Sequence, residues 1–255
     1  MSITSEPTTT VRSLTVYLAV RPADGLIEFV KRAFGAEELL RTTGSAGGLH
    51  AEVRIGDTRL MIGGGEAWGG PPTPTSLHLY VTDADATYRR ALDAGATSLR
   101  APVDQPYGDR DASVVDLAGN RWYIATHRGA AHVPAGLGSV TPYLHPRGSD
   151  RLIDFLKRAF AAQEMQVERE SDRTVKHAKI RVGPSAVEMG EAHAEFGPMP
   201  TMFCLYVDDV DDAYRRALAA GGTSQEAPAL QPYGERRAAV RDAFGNQWYL
   251  AAPVG

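Results

Sequence analysis

The run Leu14-Thr15-Val16-Tyr17-Leu18-Ala19-Val20 is apolar and β-prone and is stopped by Arg21-Pro22, so it predicts a strand. Behind it Leu26, Phe29, Val30 and Ala33 recur at helical spacing, with Asp24 placed to cap the helix and Gly35 to close it. Three strand patterns follow at Glu38–Thr42, Leu49–Ile55 and Thr58–Ile62, and Gly56-Asp57 joins the last two as a hairpin. The stretch 63–74 is rich in Gly and Pro and has no Gly-Lys-Ser/Thr ending, so it reads as a connector and not as a phosphate loop. A strand at Leu77–Val81, a helix from the Asp83 cap to Gly95, and strands near Thr97–Leu99, Ala112–Asp116 and Arg121–Thr126 complete the pattern. Its order is βαβββ, then βαβββ.

The same pattern then runs again. Residues 101–125 and 227–251 share 15 of 25 positions, too many for unrelated segments, so the chain is a tandem duplication. Tyr17 and Tyr143, like Tyr123 and Tyr249, lie 126 residues apart; at His50/His177 and Met61/Glu188 the offset is 127. Loop lengths have drifted while the strands have held. Domains are expected at 11–128 and 137–253, joined by the Gly-, Ala- and Pro-rich linker 129–138. Each half of the 255 residues is long enough for its own core.

Composition narrows the functional classes. A net charge of −4 gives no basic footprint for nucleic acid. No run approaches the ~20 apolar residues of a membrane span. The polar start 1–10 has no apolar core of a secretion signal. Cys204 is the single cysteine, so no intramolecular disulfide framework exists. A cytoplasmic location is expected.

Paired βαβββ modules carrying Lys-Arg-Ala-Phe-Gly-Ala-Glu (31–37), His-Ala-Glu-Val-Arg-Ile-Gly (50–56) and a closing Asp-x-x-Gly-Asn-x-x-Tyr resemble the vicinal oxygen chelate superfamily of glyoxalases, bleomycin-resistance proteins and extradiol dioxygenases, most closely its PhnB-like branch. The resemblance implies an α+β fold of two tandem domains, each curving two βαβββ modules into a cup-shaped mixed sheet. Because single-domain relatives pair into dimers, it also implies an intramolecular pseudo-dimer. Superfamily enzymes hold a divalent metal with side chains from the first, fourth, fifth and eighth strands of a cup. Carried over, those positions are Thr15, Met61, Ser76 and Tyr123 in the first half and Thr141, Glu188, Met202 and Tyr249 in the second. Only Glu188 is a competent ligand, against the roughly three that a catalytic metal needs, so no metal or other cofactor is expected. The alternative is a shifted site of His145, Glu188 and Cys204, with His78 displaced in the same way in the first half.

What the two copies share is aromatic and polar. Tyr17/Tyr143, His50/His177, Tyr107/Tyr233, Arg110/Arg236 and Tyr123/Tyr249 suit the lining of two ligand cups, in which rings stack on a planar guest and polar groups orient it. Each has a plainer reading. Gln-Pro-Tyr-Gly is a turn signature, so Tyr107 and Tyr233 could pack under their own loops. Arg110 could be solvated, the histidines could make structural hydrogen bonds, and Cys204 is more often a small core residue than a nucleophile. Trp122 and Tyr123 must face opposite ways on their strand; Tyr123 is expected inward and Trp122 in the core. Trp68 is the candidate lid over the first cup. The matching loop at Ala192-His193-Ala194 lacks a tryptophan, so the cups are expected to be unequal, with Tyr123 mattering more than Tyr249. The reading that follows is metal-independent binding of a small, partly aromatic molecule, such as an antibiotic or metabolite. Its alternative is a lyase, isomerase or dioxygenase of the same superfamily.

Overall fold

A computed structural model describes residues 11–44, 47–65, 71–194 and 196–253. The first half contains β1 (Val11–Val20), α1 (Ala23–Phe34), β2 (Glu37–Thr43), β3 (Leu49–Ile55), β4 (Thr58–Gly64), β5 (Ser76–Tyr80), α2 (Ala84–Asp93), β6 (Thr97–Asp104), β7 (Asp109–Val115) and β8 (Arg121–His127). The second contains β9 (Val140–Leu144), α3 (Ser149–Phe160), β10 (Gln163–Arg169), β11 (Val175–Val182), β12 (Ser185–Met189), β13 (Met202–Val207), α4 (Val210–Ala219), β14 (Thr223–Leu230), β15 (Glu235–Arg241) and β16 (Gln247–Pro253). The βαβββ order read from the pattern is the observed one.

Local chemistry explains the helix ends, with one correction. Asp83 and Asp209 cap α2 and α4, their carboxylates accepting from the backbone N–H of Ala86 and Asp212 at 2.9 Å each. Gly35 closes α1 in the left-handed region at φ 69°. Asp24, however, is not the cap of α1: the helix starts at Ala23 behind Pro22, and the Asp24 side chain pairs with Arg41 on β2.

The sheets do not follow the halves. One eight-stranded sheet has the order β14-β15-β16-β13-β1-β4-β3-β2 and the other β10-β11-β12-β9-β5-β8-β7-β6. We call them sheet A and sheet B. The seam of A is the antiparallel β1–β13 pair, and that of B is the antiparallel β5–β9 pair, with His78 opposite Thr141. Each sheet therefore joins one module from each half, whereas the sequence reading gave each half its own cup. The seam strands explain why pairing across halves is available: all four modules present a first strand of the same apolar pattern, so any two can share an edge.

The halves stay coherent through their helices. α1 lies under sheet A and α2 under sheet B, yet the two pack together, with Arg90 Nε donating to the Ala33 carbonyl at 3.2 Å. Phe34 of the first module meets Trp122 of the second at 4.6 Å between ring centroids, and Phe160 meets Trp248 in the same way at 4.9 Å. Both tryptophans are fully buried, as expected for Trp122. Between the sheets, Thr75 and Thr201 occupy equivalent positions and share a buried hydroxyl–hydroxyl hydrogen bond. No described helix is long and apolar enough to cross a membrane.

Candidate functional site

The polar centre of the molecule is in sheet B. Glu188 sits on β12, opposite Tyr143 on β9, and its side chain is 1% exposed. His78, on β5, places Nδ1 2.9 Å from Glu188 Oε2; His177, on β11, places Nε2 3.2 Å from Oε1. Burial alone would raise the Glu188 pKa, but the charge and hydrogen bonds of the two imidazoles outweigh it and bring the value down to about 2. An ionised carboxylate only accepts, so both imidazoles donate.

Aromatic rings surround this centre. Tyr143 stacks on His177 at 5.9 Å and meets Tyr123 edge-on at 5.5 Å. Tyr80 lies 4.3 Å from the His78 ring. The Tyr123 hydroxyl is 3.0 Å from His145 Nε2, which turns its ring toward this cluster. Burial, helped by Arg121 and His193, lowers the His145 pKa to about 4, so this imidazole is neutral at pH 7. Phe196 closes the arrangement, stacking on His145 at 5.4 Å. It belongs to a tight turn in which His193 and Phe196 exchange backbone hydrogen bonds, on a loop anchored by Glu191 at the start of α3.

The rim of this cup is the β6–β7 turn. Tyr107 is 66% exposed and donates to Asp111 at 3.0 Å, which also accepts from Arg100 at 2.8 Å and Gln105 at 2.7 Å.

Sheet A presents the same framework with different chemistry. Tyr17 stacks on His50 at 5.6 Å, and its hydroxyl lies 3.2 Å from His50 Nδ1. Gly63 makes room for it: a Cβ there would stand 1.9 Å from the Tyr17 oxygen. Where sheet B has Glu188 and His78, sheet A has Met61 and Cys204. Burial is the main cause that raises Tyr17 and Cys204 to about 12, so both stay protonated at neutral pH. Tyr249 faces this cup, and Tyr233 stands on its rim.

Of the residues singled out from the sequence, His78, Tyr107, Tyr123, Tyr143 and Glu188 converge on the cup of sheet B, and Tyr17, His50, Tyr233 and Tyr249 on that of sheet A. Arg110 does not belong to either. Alternation on β7 turns it to the helix side, where its guanidinium pairs with Asp85 of α2 and with Asp104. Trp68 lies outside the described residues. Sequence reasoning missed Tyr80 and Phe196; it paired His177 with His50 as cup lining and gave His145 only to the shifted site with Glu188 and Cys204. Phe196 sits in a loop without periodicity, but the offset repeat placed His177 beside His50 in plain view.

The superfamily's metal positions regroup across the halves. Sheet B gathers Thr141, Glu188, Ser76 and Tyr123; sheet A gathers Thr15, Met61, Met202 and Tyr249. The shifted trio of His145, Glu188 and Cys204 is not assembled either, because Cys204 is on β13 in sheet A and His145 bonds Tyr123. The two imidazoles that do reach Glu188 occupy both carboxylate oxygens, and among the described residues no group of three His, Cys, Asp or Glu side chains converges to hold a metal ion. The donor set does not fit the superfamily's divalent metal.

The chain matches the model of the Glyoxalase/Bleomycin resistance protein/Dioxygenase superfamily over residues 12–124 and 147–250. It is 40% identical over 137 residues to an uncharacterized protein of Mycobacterium bovis, a match spanning 49% of this chain and 86% of that one. An uncharacterized protein of Mycobacterium tuberculosis matches at the same identity over 76% of its length. Among solved structures, glyoxalase I from Zea mays superposes with a TM-score of 0.72 over 94% of this chain and 92% of its own, at 14% identity, a likeness of fold. With the family model covering both halves, and two mixed sheets arranged as in that fold, this chain belongs to the glyoxalase/bleomycin resistance protein/dioxygenase superfamily as a tandem-domain member.

Proposed function

We propose that this is a small-molecule-binding protein whose working site is the cup of sheet B and which recognises its guest without a metal. The observation that carries the reading is Glu188: a carboxylate 1% exposed, ionised, and held on both oxygens by His78 and His177 at the base of an aromatic cup. Burying a charge is costly unless it is fully hydrogen-bonded. The twin cup does without one, since Met61 stands there. A purely structural role would call for the apolar residue in both. Tyr123, Tyr143 and Phe196 supply flat apolar faces for a partly aromatic guest, and the ring nitrogens of His78 and His177 turned away from Glu188 supply polar partners that orient it. The role we infer is sequestration of a metabolite or antibiotic in the cytoplasm, by a member of the PhnB-like branch.

The test is a thermal-shift and calorimetric screen of metabolites and antibiotics, with metal content measured on the same protein. A guest is expected to bind metal-stripped protein undiminished. Glu188→Gln should weaken it by about tenfold or more, as expected for losing hydrogen bonds to a charged group. Stoichiometric tight metal with chelator-sensitive binding would overturn the reading.

One observation favours a second reading. The imidazole–carboxylate pairs of His78 and His177 are also what general acid–base catalysis needs. Turnover of a bound guest that His78→Asn abolishes while binding survives would move the protein to the isomerases or lyases.

A further inference from the structure

The two cups carry an ion pair at the same place with its sign reversed. In sheet B, Arg100 on the edge strand β6 pairs with Asp111 on β7, so the inner member is an anion. At the offset of 126, Glu226 on β14 pairs with Arg237 on β15, so in sheet A the inner member is a cation. Arg237 lies on the cup face with Tyr249, its guanidinium carbon 5.4 Å from that ring's centroid. Its Nη1 donates to the Tyr233 hydroxyl at 3.2 Å and its Nη2 to Glu226 at 2.9 Å. Nε is buried and has no partner among the described residues. An unsatisfied buried guanidinium N–H is costly and uncommon, and it is the donor that a second oxygen of a bound carboxylate takes in a bidentate pair.

We propose that the cup of sheet A is a second, separate ligand site, selective for a planar molecule bearing a carboxylate. Arg237 holds the carboxylate through Nε and a neighbouring N–H, while Tyr17 and Tyr249 flank the ring of the guest. The thiol of Cys204 and the thioether of Met61 leave the floor without a competing negative charge. Three carboxylates stand nearby, and each is already engaged. Glu235 accepts from the Tyr206 hydroxyl at 2.9 Å, Glu52 pairs with Arg59, and Glu226 holds Arg237 from a half-exposed position that an incoming anion can displace. Such an exposed pair is weak, which makes Glu226 a placeholder.

The site is tested with benzoate as probe and the full-length protein carrying methyl-labelled methionine, because Met61 reports from the cup of sheet A and Met199, beside Ser76, from that of sheet B. Saturable shifts at Met61 but not at Met199 are expected. Arg237→Gln should weaken benzoate by about tenfold or more. Glu226→Gln, which removes the competitor, should tighten it. Arg110→Gln, a charge-matched change on the helix side, should leave it unaltered. Benzylamine should not shift Met61. If Arg237→Gln melts early, the Glu226→Gln result and the position of the shifts still decide. Absence of saturation at millimolar benzoate, shifts centred on Met199, or weaker binding in Glu226→Gln would overturn the proposal.

Discussion

Two buried groups of the sheet B cup respond to acid in different pH windows. The His145 pKa is depressed from 6.5 to about 4. Below pH 6.5 the unfolded chain takes up a proton that the folded state refuses, so stability present above 6.5 is lost as the pH falls toward 4, by about 3 kcal/mol at most. Glu188 is depressed from 4.5 to about 2, so its contribution is complete above 4.5 and disappears only as the pH falls toward 2. Urea unfolding at a series of pH values should therefore show a first decline between 6.5 and 4 and a second below 4.5. His145→Gln should make the first decline shallower, leaving the part that His50, also lowered by burial, contributes, and should leave the second unchanged. An unchanged first decline in that variant would assign it elsewhere. Neither residue's role was legible in the sequence. His145 follows an unremarkable Pro-Tyr-Leu, and its meaning comes from Tyr123, a residue of the other half brought beside it by the β5–β9 seam.

At the level of elements, much could be read in advance, because strands and helices follow local periodicity. The closing Asp-x-x-Gly-Asn-x-Trp is a good case: the structure makes it a turn lock. Asp116 accepts from the Asn120 side-chain amide at 2.9 Å and from the Trp122 indole at 2.8 Å, besides two backbone N–H groups. Asp242 repeats the arrangement with Asn246 and Trp248. Asp116→Ala would strand several buried donors at once, and a loss of about 3 kcal/mol or more is expected by chemical denaturation. Asp242→Ala should cost a similar amount, since its partners are the same. Asp83→Ala, which removes only a helix cap, should cost about 1 kcal/mol. Asp24→Ala should cost less than that, because the structure shows a surface ion pair where a cap was expected.

For the whole molecule, strand order was the part that the sequence could not disclose. Four modules with the same apolar first strand are interchangeable to a pattern reader, and only the seam pairs decide which two build a cup. A protease site inserted in the linker 129–138 tests the observed arrangement. After cleavage the two halves should co-elute as one species and keep their near-ultraviolet circular dichroism, because both sheets remain hydrogen-bonded across the cut. Halves that separate freely at low concentration would contradict the seams.

Because each cup draws on both halves, neither copy of the duplicated unit can decay without damaging both cups. The topology thus protects the duplication against loss. It also removes a constraint. In a dimer of identical chains, every substitution appears in both cups at once, so a carboxylate gained in one would be imposed on the other. Covalent fusion gave Glu188 and Met61, and Asp111 and Arg237, separate codons. Selection could then move one pocket toward buried acid and imidazole while its sibling turned cationic, a divergence that a symmetric ancestor had no means to explore.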